Sequence, residues 1–131
     1  MTSQVADRPT GSRALPGYER FVLDLREGLE HGWRQHVDEV TELTIRLHDT
    51  RAALGQRPAG DTGLAADLDM IEAQLEVARR ELAEHDDALA RFAKGTYGFC
   101  GHCGVSITAD RLAAFPSTRL CASCHFWSRR T

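Results

Sequence analysis

The sequence predicts a mainly α protein: a long antiparallel helical hairpin, or coiled coil, joined to a small four-cysteine zinc-finger module with a short C-terminal helix. Three features point there. Two stretches carry apolar residues at alternating steps of three and four. A segment rich in Gly and Pro separates them. All four cysteines of the chain fall in two C-x2-C pairs near its C-terminus. A length of 131 residues fits one domain, or one elongated element with a small module attached.

Residues 1–17 are polar and rich in Pro, Gly and Ser, and they lack the apolar core of a signal peptide. They read as a flexible tail, and a cytoplasmic setting follows. Residues 18–94 read as the hairpin. Its first seam is Leu29, Trp33, His36, Val40, Leu43, Leu47, Thr50 and Leu54, with Phe21, Val22 and Leu25 extending the apolar face upstream. Gly28 and Gly32 weaken the helix there. The segment from Gly55 to Gly63 holds three glycines between its helices besides Pro58, and reads as the tip loop, 55–63. Asp61 or Thr62 suits the N-cap of the second helix. From Leu64 the seam continues through Leu68, Ile71, Leu75, Ala78, Leu82, His85, Leu89 and Phe92, with no Pro or Gly inside it.

A short turn between two seams implies antiparallel pairing. Setting Leu54 against Leu64 brings Leu47 to Ile71, Leu43 to Leu75 and Val40 to Ala78. Trp33 then falls beside His85 and His36 beside Leu82. In this register His36 and His85 are not directly opposed, and they read as hydrogen-bonded or partly exposed seam residues rather than a metal pair. A helix from Tyr18 to Leu54 spans roughly 55 Å. Pairing with a second chain is the alternative packing, and monomer or weak dimer is the expected state. Glu81, Glu84, Asp86 and Asp87 read as a solvated acidic surface.

Residues 95–131 form the module. Gly95 suits the position just past a helix end, and Lys94 suits the negative pole of the helix dipole. Cys100-Gly-His-Cys103 and Cys121-Ala-Ser-Cys124 each place two thiolates on one tight turn, and together they supply four soft ligands for one tetrahedral Zn²⁺. Two disulfides and a redox pair are the competing readings. His102 and His125 sit beside the cysteines as spectators of a shell that four thiolates complete. Gly101 and Gly104 let the chain curl about the metal. Val105–Thr108 alternates like a short strand, and Asp110–Ala114 reads as a helical turn ending before Pro116. His125-Phe-Trp-Ser128 begins a final helix whose apolar face is expected to pack on the module or the hairpin base. Such a closed four-thiolate site leaves no coordination position for substrate, so the zinc is structural.

Charge excludes one class of function. The hairpin carries seventeen acids against ten bases, a net −7, whereas the module carries one acid and four arginines, a net +3 before metal binding. Arg111, Arg119, Arg129 and Arg130 are too few for strong phosphate binding, so sequence-specific DNA binding is not expected. No apolar run reaches the length of a membrane span. The chain has no Gly-rich phosphate loop, open metal site or nucleophile–base pair, and does not read as an enzyme.

Gly95-Thr-Tyr-Gly-Phe-Cys-Gly-His-Cys-Gly104, then Ile107, Arg111-Leu-Ala-Ala-Phe-Pro116 and Cys121-Ala-Ser-Cys124, resembles the zinc finger of the DksA/TraR family. The resemblance covers about residues 88 to 126, and the hairpin before it agrees in pattern. It implies a bacterial transcription regulator that binds RNA polymerase and inserts its coiled-coil tip into the secondary channel, often together with ppGpp. Tips of that family resemble Asp-x-x-Asp-x-Ala. Here Asp61-Thr62-Gly-Leu64-Ala-Ala66 fills the first and last places, and Leu64 stands where the second carboxylate belongs. No residue here carries over a ppGpp site. A coiled-coil adaptor for a different protein partner is the alternative reading.

Overall fold

The computed structural model describes residues 16–56, 60 and 62–130. Among the described residues four helices follow one another: α1 (Pro16–Gly55), α2 (Thr62–Lys94), α3 (Ala109–Ala114) and α4 (Ala122–Arg130). α1 opens on Pro16, where a missing N–H costs nothing because a first-turn amide has no intrahelical partner. It runs through both Gly28 and Gly32 without a break. At 40 residues it is about 60 Å long. Of the expected N-terminal tail, only Pro16 and Gly17 fall within the described residues, and both are helical.

The two long helices pair within the chain in the anticipated register. Leu43, Ile71, Leu75 and Ala78 are buried together, with Val40 and Leu47 packed against them. The small Ala78, 1 % exposed, lets the helices approach where Val40 faces it. An Arg51–Glu72 ion pair at 2.8 Å crosses between the helices nearer the tip, with both side chains largely exposed. Exposed pairs of this kind add about 1 kcal/mol at most.

A second core lies at the other end of the hairpin. Leu29 and Ala88 from the helices join Tyr97, Cys100, Ile107 and Leu112 from the module. Phe21, Val22 and Leu25 pack against this cluster, so the upstream apolar face is what the module sits on. The module is therefore not a separate bead: it shares its interior with the hairpin base. Few residues of so short a module can be shielded by the module alone.

Between the two cores the helix interface turns polar. The Trp33 indole N–H donates to the Asp86 carboxylate. The His36 and His85 rings meet edge to face, with centroids 4.8 Å apart. The register holds here, with Gly32 facing His85 and His36 facing Glu81, so the two histidines are not directly opposed, but their rings reach across one turn to meet. Gly32 explains how His85 fits, since a Cβ at that position would lie 2.7 Å from the imidazole Nε2. The acidic surface of α2 is likewise less free than its composition suggests. Asp86 is held by Trp33, Glu81 lies near His36, and Asp87 meets both Arg91 and Arg119.

Candidate metal centre and hairpin tip

The path from α2 into the metal centre is set by the helix end. Gly95, at φ +77°, donates its N–H to the Phe92 carbonyl, and Thr96 donates to the Arg91 carbonyl. These are the paired bonds of a Schellman ending, which satisfies carbonyls that the helix leaves open. The turn delivers Tyr97 beneath Phe92, with the rings stacked at 3.9 Å and 14°. The Tyr97 hydroxyl donates to the Pro116 carbonyl at 2.8 Å.

From there the chain forms a narrow hairpin rather than the strand expected at Val105–Thr108. One antiparallel bridge joins Phe99 and Ser106. The Cys100 N–H donates to the Val105 carbonyl, and the Ile107 N–H to the Gly98 carbonyl, each at 2.7 Å. The first knuckle occupies the bend between these segments, which leaves no length for a longer ladder. Gly104 has φ +81°, as a residue turning about the metal requires, but Gly101 does not. Gly101 instead donates its N–H to the Arg119 carbonyl at 2.7 Å, tying the first knuckle to the segment before the second.

The four sulfurs of Cys100, Cys103, Cys121 and Cys124 all lie within 4.8 Å of one another. Cys103 Sγ and Cys121 Sγ are 3.9 Å apart. A tetrahedral Zn²⁺ with bonds near 2.3 Å holds its sulfurs about 3.8 Å apart. None of the four is in a disulfide. The His102 N–H points at Cys100 Sγ and the Cys124 N–H at Cys121 Sγ, at 3.4 and 3.5 Å. Backbone N–H groups aimed at sulfur favour thiolate.

The electrostatics fit a cation. Amides of Cys103 and Cys121 directed at Cys100 bring its thiol down to about 5. Burial, reinforced by the neighbouring sulfurs, pushes the Cys124 thiol up to about 12. Four thiolates in one pocket repel one another, and Zn²⁺ supplies the positive charge that lets all four ionise together. The donor set, its spacing and the amide dipoles all suit a closed structural zinc site.

The rest of the module braces this centre. Thr108 caps α3 by accepting the Arg111 N–H at 3.2 Å, and Leu112 on that helix is fully buried. Arg111 turns inward, donating from Nε to the Leu120 carbonyl at 2.9 Å, with its guanidinium over Phe115. α4 begins inside the second knuckle. Its Phe126 and Trp127 are 55 % and 63 % exposed, so the expected packing of their apolar face inward does not form.

Arg91 is the residue that sequence reasoning missed. It is only 8 % exposed, yet the heptad pattern places it beside the seam rather than on it. It donates to the Thr118 and Ser117 carbonyls, each at 3.1 Å, and to the Asp87 carboxylate at 3.2 Å.

At the far end, Thr62 is the first residue of α2 and is exposed. Leu64 is half-buried and Ala66 is exposed, both on the opening turns of that helix. Asp61 lies outside the described residues. The hairpin thus carries these positions to the end remote from the cysteines.

Residues 95–126 match the family described as the prokaryotic dksA/traR C4-type zinc finger. An uncharacterized protein of Aquifex aeolicus (strain VF5) is 54 % identical over 92 residues, 66 % of this chain and 63 % of that protein. The chain therefore spans under two thirds of the relative it matches. The structure of transcription factor DksA2 from Pseudomonas aeruginosa superposes with a TM-score of 0.70 at 23 % identity, covering 86 % of this chain and 85 % of that one. At that identity the likeness is one of fold, and the finger match supplies the sequence motif that the fold alone lacks. The chain thus carries a finger that matches the dksA/traR C4 type on a fold like that of DksA2, and its four cysteines, Cys100, Cys103, Cys121 and Cys124, are placed to hold one structural zinc.

Proposed function

We propose that this protein is a non-enzymatic, cytoplasmic transcription regulator that binds RNA polymerase and directs its hairpin tip into the secondary channel. The observation that carries the reading is the rooting of the long hairpin in a dksA/traR-type finger through one shared core. A hairpin of this form is narrow enough to enter a channel, and a structured base gives the polymerase surface something to hold. Within the described residues no helix is long and apolar enough to cross a membrane. Arg111 is committed inside the module, and the exposed Arg119 is countered by Asp87 at 3.7 Å. Regulation through the polymerase itself accords with that better than direct DNA binding does.

Thr62, Leu64 and Ala66, with Asp61 before them, are the proposed contacts near the polymerase active centre. Leu64 in the place of a carboxylate makes this tip less acidic than the Asp-x-x-Asp-x-Ala pattern, so its effect on catalysis there should be weaker.

The test is co-elution of the zinc-loaded full chain with core RNA polymerase. A stoichiometric complex is expected. The double variant Thr62→Arg, Ala66→Arg changes two exposed positions and should weaken binding by blocking tip entry. No complex with the unaltered chain would overturn the polymerase reading and leave the adaptor reading. Unchanged binding by the double variant would overturn tip-first insertion alone.

A further inference from the structure

We propose that the polar layer midway along the hairpin is a second metal site, in which His36, Glu39 and Glu81 hold a divalent transition-metal ion between α1 and α2. The three residues come from both helices. His36 and Glu39 share one face of α1 at a three-residue spacing, and Glu81 approaches from α2. Their ligand atoms lie within 4.8 Å of one another.

The distances are long for a tight hydrogen-bonded cluster and close to ligand spacing. His36 Nδ1 lies 3.4 Å from Glu39 Oε1 and 3.7 Å from Glu81 Oε1. Good N–H···O bonds fall at about 2.7–3.2 Å, so the His36–Glu39 hydrogen bond is a long one and the Glu81 contact is at ion-pair distance only. Donors bound at about 2.0–2.2 Å to one ion stand about 2.8–3.6 Å apart in octahedral or tetrahedral geometry. A small closure of the three groups therefore brings them to ligand spacing.

The surroundings hold the imidazole in place. The His36 ring lies edge to face with His85. The His85 Nδ1–H donates to the Glu81 carbonyl at 2.9 Å, and its Nε2 is seated over Gly32. His85 is thus a wall to the site, and it ties the α2 backbone at Glu81 to the ring that supports His36. The carboxylates are about half exposed, at 52 % and 49 %, whereas the His36 side chain is 21 % exposed. An ion can reach the site from solvent while the nitrogen ligand stays ordered. A neutral imidazole with two carboxylates carries a net −2, which a divalent ion balances. Imidazole with carboxylate suits Zn²⁺ or Ni²⁺ better than the all-oxygen cations Mg²⁺ and Ca²⁺. Water would complete the shell.

The test uses the full chain with its cysteine site already filled with zinc. Equilibrium dialysis against Zn²⁺, and separately Ni²⁺, should find one further ion per chain. Glu81→Gln and His36→Gln should each abolish that uptake while leaving the cysteine-bound zinc and the helical circular dichroism unchanged. Glu76→Gln, which alters an exposed carboxylate elsewhere on α2, should leave it intact. Glu81→Gln changes an exposed side chain, so it decides the outcome even where His36→Gln perturbs folding. A wild-type chain that takes up no second ion overturns the site. So does a second ion that persists undiminished in Glu81→Gln.

Discussion

Arg91 and Tyr97 are adjacent links between the hairpin and the metal module, and each has a measurable consequence. Arg91 spends its donors on two successive carbonyls and one carboxylate, a planar fork that the compact ammonium of a lysine does not reproduce. Arg91→Ala should destabilise the zinc-loaded protein by about 2–4 kcal/mol, since hydrogen bonds from a charged donor are the stronger kind and the carbonyls would be left behind. Arg91→Lys should recover only part of that, both read by denaturant unfolding. Tyr97 gives a pH signature. Burial pushes its phenol from 10.0 up to about 12. The folded protein therefore keeps a proton that the unfolded chain releases above pH 10. The stability it contributes is complete below pH 10 and is lost as pH rises through about 12. An ultraviolet titration should show a late phenolate step near pH 12, and Tyr97→Phe should remove it.

At the scale of elements, the two cores predict an order of unfolding. The cluster around Leu43, Ile71, Leu75 and Ala78 contains no module residue, whereas the cluster around Leu29 and Ala88 includes Cys100, with Cys121 and Cys124 against it. Zinc sites in small fingers contribute about 10–16 kcal/mol of apparent folding free energy. A chelator should therefore melt the module and the base of the hairpin first. Much of the helical circular dichroism should survive while the Tyr97 environment is lost. Simultaneous loss of both signals would mean that the distal core cannot stand alone. The heptad steps made the hairpin and its register legible from the sequence, because each seam position must face its partner to be buried. The cysteine spacing made the metal centre legible for an equally local reason. The polar layer was not legible. The meeting of His36 with His85 and Glu81 depends on side-chain rotamers that reach across a turn and on the missing side chain of Gly32, neither of which a seam pattern specifies. Arg91 was hidden because its partners are backbone carbonyls, which carry no sequence signature.

For the whole molecule, the Schellman turn, Arg91 and the shared core leave the module in one position relative to α2. That helix, of 33 residues, is about 50 Å long. It works as a pointer whose bearing is at Lys94 and Gly95. A misalignment of about 10° at that bearing displaces the opposite end by about 9 Å on a shaft of this length, more than the width of a side chain. Helical content would scarcely register such an error, but the aim of Thr62 and Ala66 would be lost. Under the tip-first insertion proposed above, changes confined to Arg91 are therefore targeting defects as much as stability defects, felt most at the residues farthest from them.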